Sequence, residues 1–312
     1  MSLPNGATQT FHLDAFGLEV ESDFAFPGAS AEPGPGRPHR LHISRADLTT
    51  LPAATDTRRY LRNLQSYEGA PYAMLESEAG DVLFLYGRIA TFHLSADRTE
   101  LRCAVARPGD ATWQRVLLDT VLWTVSLLCG YELLHASAVA TDHGVIALIA
   151  ASGGGKSSLA AELLRRGGRL FADDVIALGE EGLEMTAYPG PPLMNLPEVI
   201  TPGTVGEAAL VYDFGDERWI HLAGPRPPAG PLAAAIILDR RPGETTNCSP
   251  VEATTLTILG HMLSLPHLGA MRRRFELLGA FAETVPVWSL RADISVTPGQ
   301  LADHIESRGA AA

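Results

Sequence analysis

An α/β domain built around a glycine loop, preceded by a mostly β domain, is what this sequence predicts, and three observations lead there. Between residues 10 and 105, short runs of alternating apolar and polar residues are separated by turn residues. From His135 the order becomes strand, strand, glycine loop, helix, strand, the arrangement of a phosphate-binding α/β core. The chain also has a single lysine, Lys156, and it falls inside that loop.

Composition bounds the function. With 312 residues and 46% apolar content, the chain can bury a sizeable core, which excludes disorder as its overall state. Asp and Glu outnumber Lys and Arg by 36 to 24, for a formal charge of -12, so neither nucleic acid nor an anionic membrane is an expected partner. Removing the one lysine from 24 basic residues leaves 23 arginines. Cys103, Cys129 and Cys248 are far apart and form no CxxC pair, which argues against a disulfide framework or zinc cage and fits a reducing cytoplasm. The first 20 residues lack the basic and apolar regions of a secretory signal. The longest apolar span, Val116 to Leu134, contains Asp119 and Glu132 and reads as a core helix rather than a membrane span.

The elements follow in order. FHLDAFGLEVES, RLHISRA, AMLESEA, DVLFLYGR, IATFHLSA and ELRCAVA read as strands of a domain over residues 1 to 110. Two Pro/Gly-rich stretches, 28 to 40 and 223 to 231, read as surface loops. Residues 111 to 129 have helical spacing and stop at Gly130, so a bridging helix is expected within 111 to 134. The second domain, 135 to 312, opens with the hairpin HASAVA and GVIALIA across the turn TDHG. The glycine loop leads into the helix LAAELLRR, which closes at Gly167 and Gly168, and RLFADDVIAL reads as the next strand. LAAAIILDRR and PVWSLRA read as later strands, residues 252 to 282 as one or two helices, and Pro298 to Ser307 as a closing helix.

The loop from Ala150 to Ser157 meets the pattern GxxxxGK[ST] at every specified position except the first, where alanine stands for glycine. Ser152, Gly153, Gly154, Gly155 and Ser158 would turn backbone N–H groups and a helix N-terminus toward a phosphate. Lys156 would reach the β- and γ-oxygens, and Ser157 would place its hydroxyl on Mg²⁺. A lysine here, where arginine fills every other basic position, points to a task for a compact ammonium. Asp173 and Asp174 follow 17 and 18 residues later on a strand whose adjacent side chains should face opposite sides. One carboxylate could then serve an incoming hydroxyl and the other a metal or the scaffold.

Residues 135 to 178, HASAVATDHGVIALIAASGGGKSSLAAELLRRGGRLFADDVIAL, resemble the HPr kinase/phosphorylase family and its relatives, with the phosphoenolpyruvate-carboxykinase-type P-loop fold. The matching features are His135, the loop lysine 21 residues on, and the Asp-Asp pair, and the stretch covers 44 of 312 residues. The resemblance implies an ATP- and Mg²⁺-dependent kinase with Asp173 as the base that activates a seryl hydroxyl. It implies Asp174 as a helper near Mg²⁺ and His135 as the neighbour that tunes Asp173. Three departures stand out: Ala150, Ser158 where these kinases usually carry Glu, and a missing E-x-R-G-x-G signature, near which only Glu198 is offered. The layout is closer to the HPr-kinase-like proteins of lasso-peptide biosynthesis, on an FGL-type opening strand, the LLHASAV run and a YPG segment. That likeness implies a precursor peptide carrying an acceptor serine as partner, and the family implies self-association. HPr itself, simple NTP hydrolysis, and a non-catalytic nucleotide-binding, peptide-presenting role remain alternatives.

Weaker constellations complete the survey. Arg240 and Arg241 end a strand where a guanidinium could reach a phosphate or simply meet solvent. Arg272, Arg273 and Arg274 read as a solvated helix face, with Glu276 as a partner for one of them. His261 and His267 have no metal-ligand spacing.

Overall fold

The computed structural model describes residues 9–32, 36–55, 58–67, 70–181, 184–196, 205, 207–215, 218–251, 258–265 and 271–307. The chain divides into two compact units, Met1–Cys129 with Ser264–Gly269, and Gly130–Leu263 with Ala270–Ala312.

The first unit contains one eight-stranded sheet in the order β1-β2-β3-β8-β7-β6-β5-β4. Its strands are β1 (Phe11–Ala15), β2 (Leu18–Ser22), β3 (His39–Arg45), β4 (Arg59–Tyr67), β5 (Ala70–Glu76), β6 (Val82–Tyr86), β7 (Ala90–Leu94) and β8 (Glu100–Val105). The run FHLDAFGLEVES is a hairpin rather than one strand, because Phe16 and Gly17 both take positive φ and turn the chain. β4 has no clear strand signal in the sequence, because Arg59, Arg62 and Gln65 interrupt its apolar pattern. The helix expected over 111 to 129 is α1 (Thr112–Val116), a π turn (Leu117–Val121) and α2 (Leu122–Leu128), and it belongs with the first unit. It docks through Trp113 against Phe24 and through the Ser126 hydroxyl, which donates to the Phe16 carbonyl at 2.6 Å.

The second unit opens with β9 (Glu132–His135), β10 (Ser137–Thr141) and β11 (Gly144–Ile149), then α3 (Lys156–Arg165). It continues with β12 (Arg169–Ala172), β13 (Val175–Glu181), β14 (Glu184–Tyr188), β15 (Leu193–Leu196), β16 (Ala208–Asp213) and β17 (Arg218–Leu222). β18 (Leu232–Arg240), β19 (Asn247–Pro250), β20 (Met262–Leu263), α4 (Met271–Thr284), β21 (Val287–Ala292) and α5 (Pro298–Ser307) complete it. Among the described residues these strands form three sheets: β12-β10-β11-β18-β21-β19, β14-β13-β9-β20 and β15-β17-β16.

The first of these three is the core. β10 and β11 form the expected hairpin, and β11, β18 and β21 run parallel beside it. β11 is buried on both faces, as a parallel strand between helical layers must be. Ile146, Leu148 and Ala150 pack with Leu159 and Leu163 of α3 and with Leu301 and Ile305 of α5. Val145, Ala147 and Ile149 pack on the other side with Leu277, Leu278 and Phe281 of α4. This two-sided burial holds the end of β11, and the glycine loop that follows it, on a rigid base. Among the described residues no helix is long and apolar enough to cross a membrane, and the three cysteines are free thiols.

A further element departs from its expected form. RLFADDVIAL is two strands in two different sheets, broken at Asp173 and Asp174. Asp174 takes φ of 66°, a left-handed conformation that aspartate tolerates better than branched residues do. The hairpin partner turns the same corner: β9 lies in the sheet of β13, and β10 lies in the sheet of β12, with Ala136 between. Val175 is paired with His135 and Ala172 with Ala138, so the two corners lie side by side along the seam between the sheets.

Candidate functional site

The glycine loop occupies the carboxyl end of β11, where α/β sheets place their ligands. Gly153 and Gly155 have φ of 73° and 96°, and Gly155 caps α3 without any side-chain hydrogen bond to the helix amides. Those first-turn amides are the free donors that an anion would meet. Gly154 is required for space: a Cβ there would lie 2.8 Å from the Ala150 Cβ and 2.9 Å from the Ala151 carbonyl oxygen. Ala150, in the position of the motif's first glycine, is 2% exposed and belongs to the core with α3. Ser152 and Gly153 are exposed, and Ser157 and Ser158 are partly buried in the first turn of α3.

Lys156 is buried. Its ammonium donates to the Ala150 carbonyl at 3.2 Å and to Nε2 of His135 at 3.0 Å. An ammonium has only donors, so the imidazole accepts at Nε2 and carries its proton on Nδ1. That Nδ1 lies 3.5 Å from Oδ1 of Asp174, which in turn is 3.9 Å from the Lys156 ammonium.

Asp173 faces a different set of groups. Its Oδ1 accepts the Ser137 hydroxyl at 2.8 Å and the Ser157 hydroxyl at 3.4 Å, and its Oδ2 accepts the Asn195 N–H at 2.9 Å. Burial, opposed in part by these hydrogen bonds and reinforced by Asp174, pushes its carboxyl up to about 6. The opposite outlook of the two aspartates therefore comes from the corner in the chain, not from the pleat of a strand. His135, expected beside Asp173, reaches Asp174 and Lys156 instead; the carboxylate at Ser157 is that of Asp173.

Four further residues belong to the neighbourhood. Ser137 was legible only as the hydroxyl within HASAVA, while Asn195 contributes through its backbone and left no signal in its side chain. The His261 carbonyl accepts the N–H of His135 at 2.8 Å. The His261 imidazole is held below its ordinary range by burial and by the nearby charge of Lys156. Arg240 stands beside the loop, with Nη1 3.2 Å from where a Gly155 Cβ would be. Its Nη2 donates to the Val296 carbonyl at 2.7 Å, and its buried Nε has no partner among the described residues. Arg241 instead pairs at the surface with Asp239.

The arginine run of α4 is only partly a solvated face. Arg272 is exposed and pairs with Glu276, as anticipated. Arg274 bonds Glu132 of β9 at 2.6 Å, with side-chain exposures of 12% and 3%, and also donates to the Leu263 carbonyl of β20. This buried pair fastens α4 and β20 onto the strand that carries His135. Glu198 and His267 lie outside the described residues.

No family model matches the chain, and no curated protein matches it in sequence. Among solved structures, the HPr(Ser) kinase/phosphatase from Coxiella burnetii is similar at 15% identity and a TM-score of 0.30, over 57% of this chain and 95% of that one.

Proposed function

We propose that this protein is an ATP- and Mg²⁺-dependent kinase that transfers the γ-phosphoryl group to a serine hydroxyl of a peptide or small protein. The observation that carries the reading is the meeting of three groups on one seam. These are a glycine loop with free helix amides, the single lysine at that loop, and a carboxylate with pKa of about 6 lying 3.4 Å from the Ser157 hydroxyl.

In this reading Lys156 and the loop amides bind the β- and γ-phosphates, with Arg240 facing the same ligand from β18. The raised carboxyl of Asp173 makes it a base able to take the acceptor proton near neutral pH. His135 and Asp174 keep the ammonium aimed at the loop mouth. The described residues contain no cluster of three His, Cys, Asp or Glu that could cage a metal. Mg²⁺ fits such a site, because it keeps several waters and takes the rest of its shell from phosphates and one or two side-chain oxygens. Ser157 and Asp174 would supply those oxygens. When bound, the cation would supply charge neutralisation at the transferring phosphate.

The acceptor class, a serine in a lasso-type precursor peptide, rests on the sequence resemblance. Incubation with γ-labelled ATP and candidate precursor peptides tests the whole reading. Label on a peptide serine supports it. Phosphate release that no peptide stimulates identifies an NTPase, and nucleotide binding without turnover identifies a non-catalytic protein.

A further inference from the structure

Asp173 is held by donors from three separate elements. Of its two hydroxyl partners, Ser157 sits on the helix that would bind the nucleotide and the cation, so that hydroxyl is committed elsewhere once ligand is bound. Ser137 has no such competing task. It is 0% exposed, opens β10 immediately after the crossing at Ala136, and is held in register opposite Leu148 of β11. Its hydroxyl makes the shorter contact to Oδ1, 2.8 Å against 3.4 Å, and also lies 3.5 Å from the Asp174 amide. With the Asn195 N–H on Oδ2, it leaves each oxygen tied to a different strand. Two donors fix both side-chain torsions of an aspartate, whereas one leaves the carboxylate free to swing about the remaining contact.

We infer that Ser137 is a positioning residue: its hydroxyl, delivered from the β10 side of the seam, holds Asp173 in the rotamer that points Oδ1 at Ser157 and the mouth of the glycine loop. The catalytic consequence rests on the kinase reading; the geometric one does not. Full burial makes Ser137 a donor to the carboxylate rather than an acceptor of a phosphoryl group.

The test uses Ser137→Ala and Ser137→Cys, the second keeping the size of the side chain while donating weakly. Crystal structures of both variants and of the parent report the Asp173 rotamer, and steady-state kinetics with ATP and an accepted peptide report the reaction. The carboxylate is expected to turn away from Ser157 in Ser137→Ala. Loss of a hydrogen bond to a charged group lowers kcat by about 10- to 100-fold. KM for ATP stays unchanged, because the loop amides and Lys156 are untouched, and Ser137→Cys falls between. An unmoved carboxylate, an unchanged kcat, a KM that rises in step with the fall in kcat, or phosphate found on Ser137 of the parent protein would each overturn the inference. If Ser137→Ala does not fold, Ser137→Cys carries the same readouts. If the parent transfers phosphate to no hydroxyl, the kinase reading alone fails, and the rotamer comparison still decides the role of Ser137.

Discussion

Lys156 donates to His135 across 3.0 Å, from Nζ to Nε2, and this contact ties the helix after the glycine loop to β9, two strands ahead of the loop. The lysine and the histidine are 21 positions apart in the chain, yet each has the other as its principal polar partner because β9 and α3 meet at the same seam.

Lys156→Arg is the substitution that tests this contact most directly. The slot between Nε2 of His135 and the Ala150 carbonyl leaves the lysine side chain 7% exposed, so it holds a compact ammonium where a longer, planar guanidinium would have to displace its surroundings. Transfer from labelled ATP is expected to fall by about 10²-fold or more, the scale for loss of one preorganised electrostatic contact. A variant as active as the parent would separate Lys156 from the chemistry.

Asp173→Asn should abolish transfer while leaving nucleotide affinity in place, measured by calorimetry on the same preparation. In the parent, the base must be ionised, so kcat rises with pH through about 6 and falls about tenfold per unit below it. The effect on stability has the opposite sign. A carboxyl raised in the folded state favours the fold at acid pH, and that contribution is lost as pH rises through about 6.

Gly154→Ala should close the loop, since its Cβ would meet both a side chain and a backbone oxygen. Nucleotide affinity is expected to drop. Ala150→Gly in the same chain removes the side-chain clash at 2.8 Å but not the carbonyl clash at 2.9 Å, so it restores only part of the affinity. Full restoration would mean that Ala150 alone shapes the loop.

Arg274→Ala leaves Glu132, 2% exposed, as a buried carboxylate without its cation. Breaking such a pair costs about 3–5 kcal/mol, to be read from denaturant midpoints. Burial already holds the Glu132 carboxyl above its usual range despite Arg274. Without the arginine it rises further, so the variant recovers stability as pH is lowered. Pairing Glu132→Leu with Arg274→Met should return most of the loss, because an apolar pair of similar volume needs no partner charge.

Much of this fold is legible in the sequence because local periodicity reports burial. The hairpin before the loop, α3, β18, β21 and the closing helix all lie where apolar spacing and glycines put them. The strands between Glu184 and Leu222 carry no clear local signal, since they are short and edged by proline and glycine. The arginines of α4 carry none for another reason: a charge run looks the same whether it meets water or, like Arg274, a buried glutamate.

The sequence by itself determined the glycine loop, its single lysine and the spacing of His135 and the aspartate pair, because these are properties of consecutive residues. Only the tertiary structure decided which aspartate faces which partner. RLFADDVIAL scans as one strand, and pleating alone would put its carboxylates on opposite faces of one sheet. The left-handed backbone at Asp174 instead passes the chain from one sheet to another, beside the matching corner at Ala136. That pairing of corners sends Asp173 to Ser137, Ser157 and Asn195, and Asp174 to His135 and Lys156. Contacts across a seam between sheets depend on long-range register, which no local pattern of residues encodes.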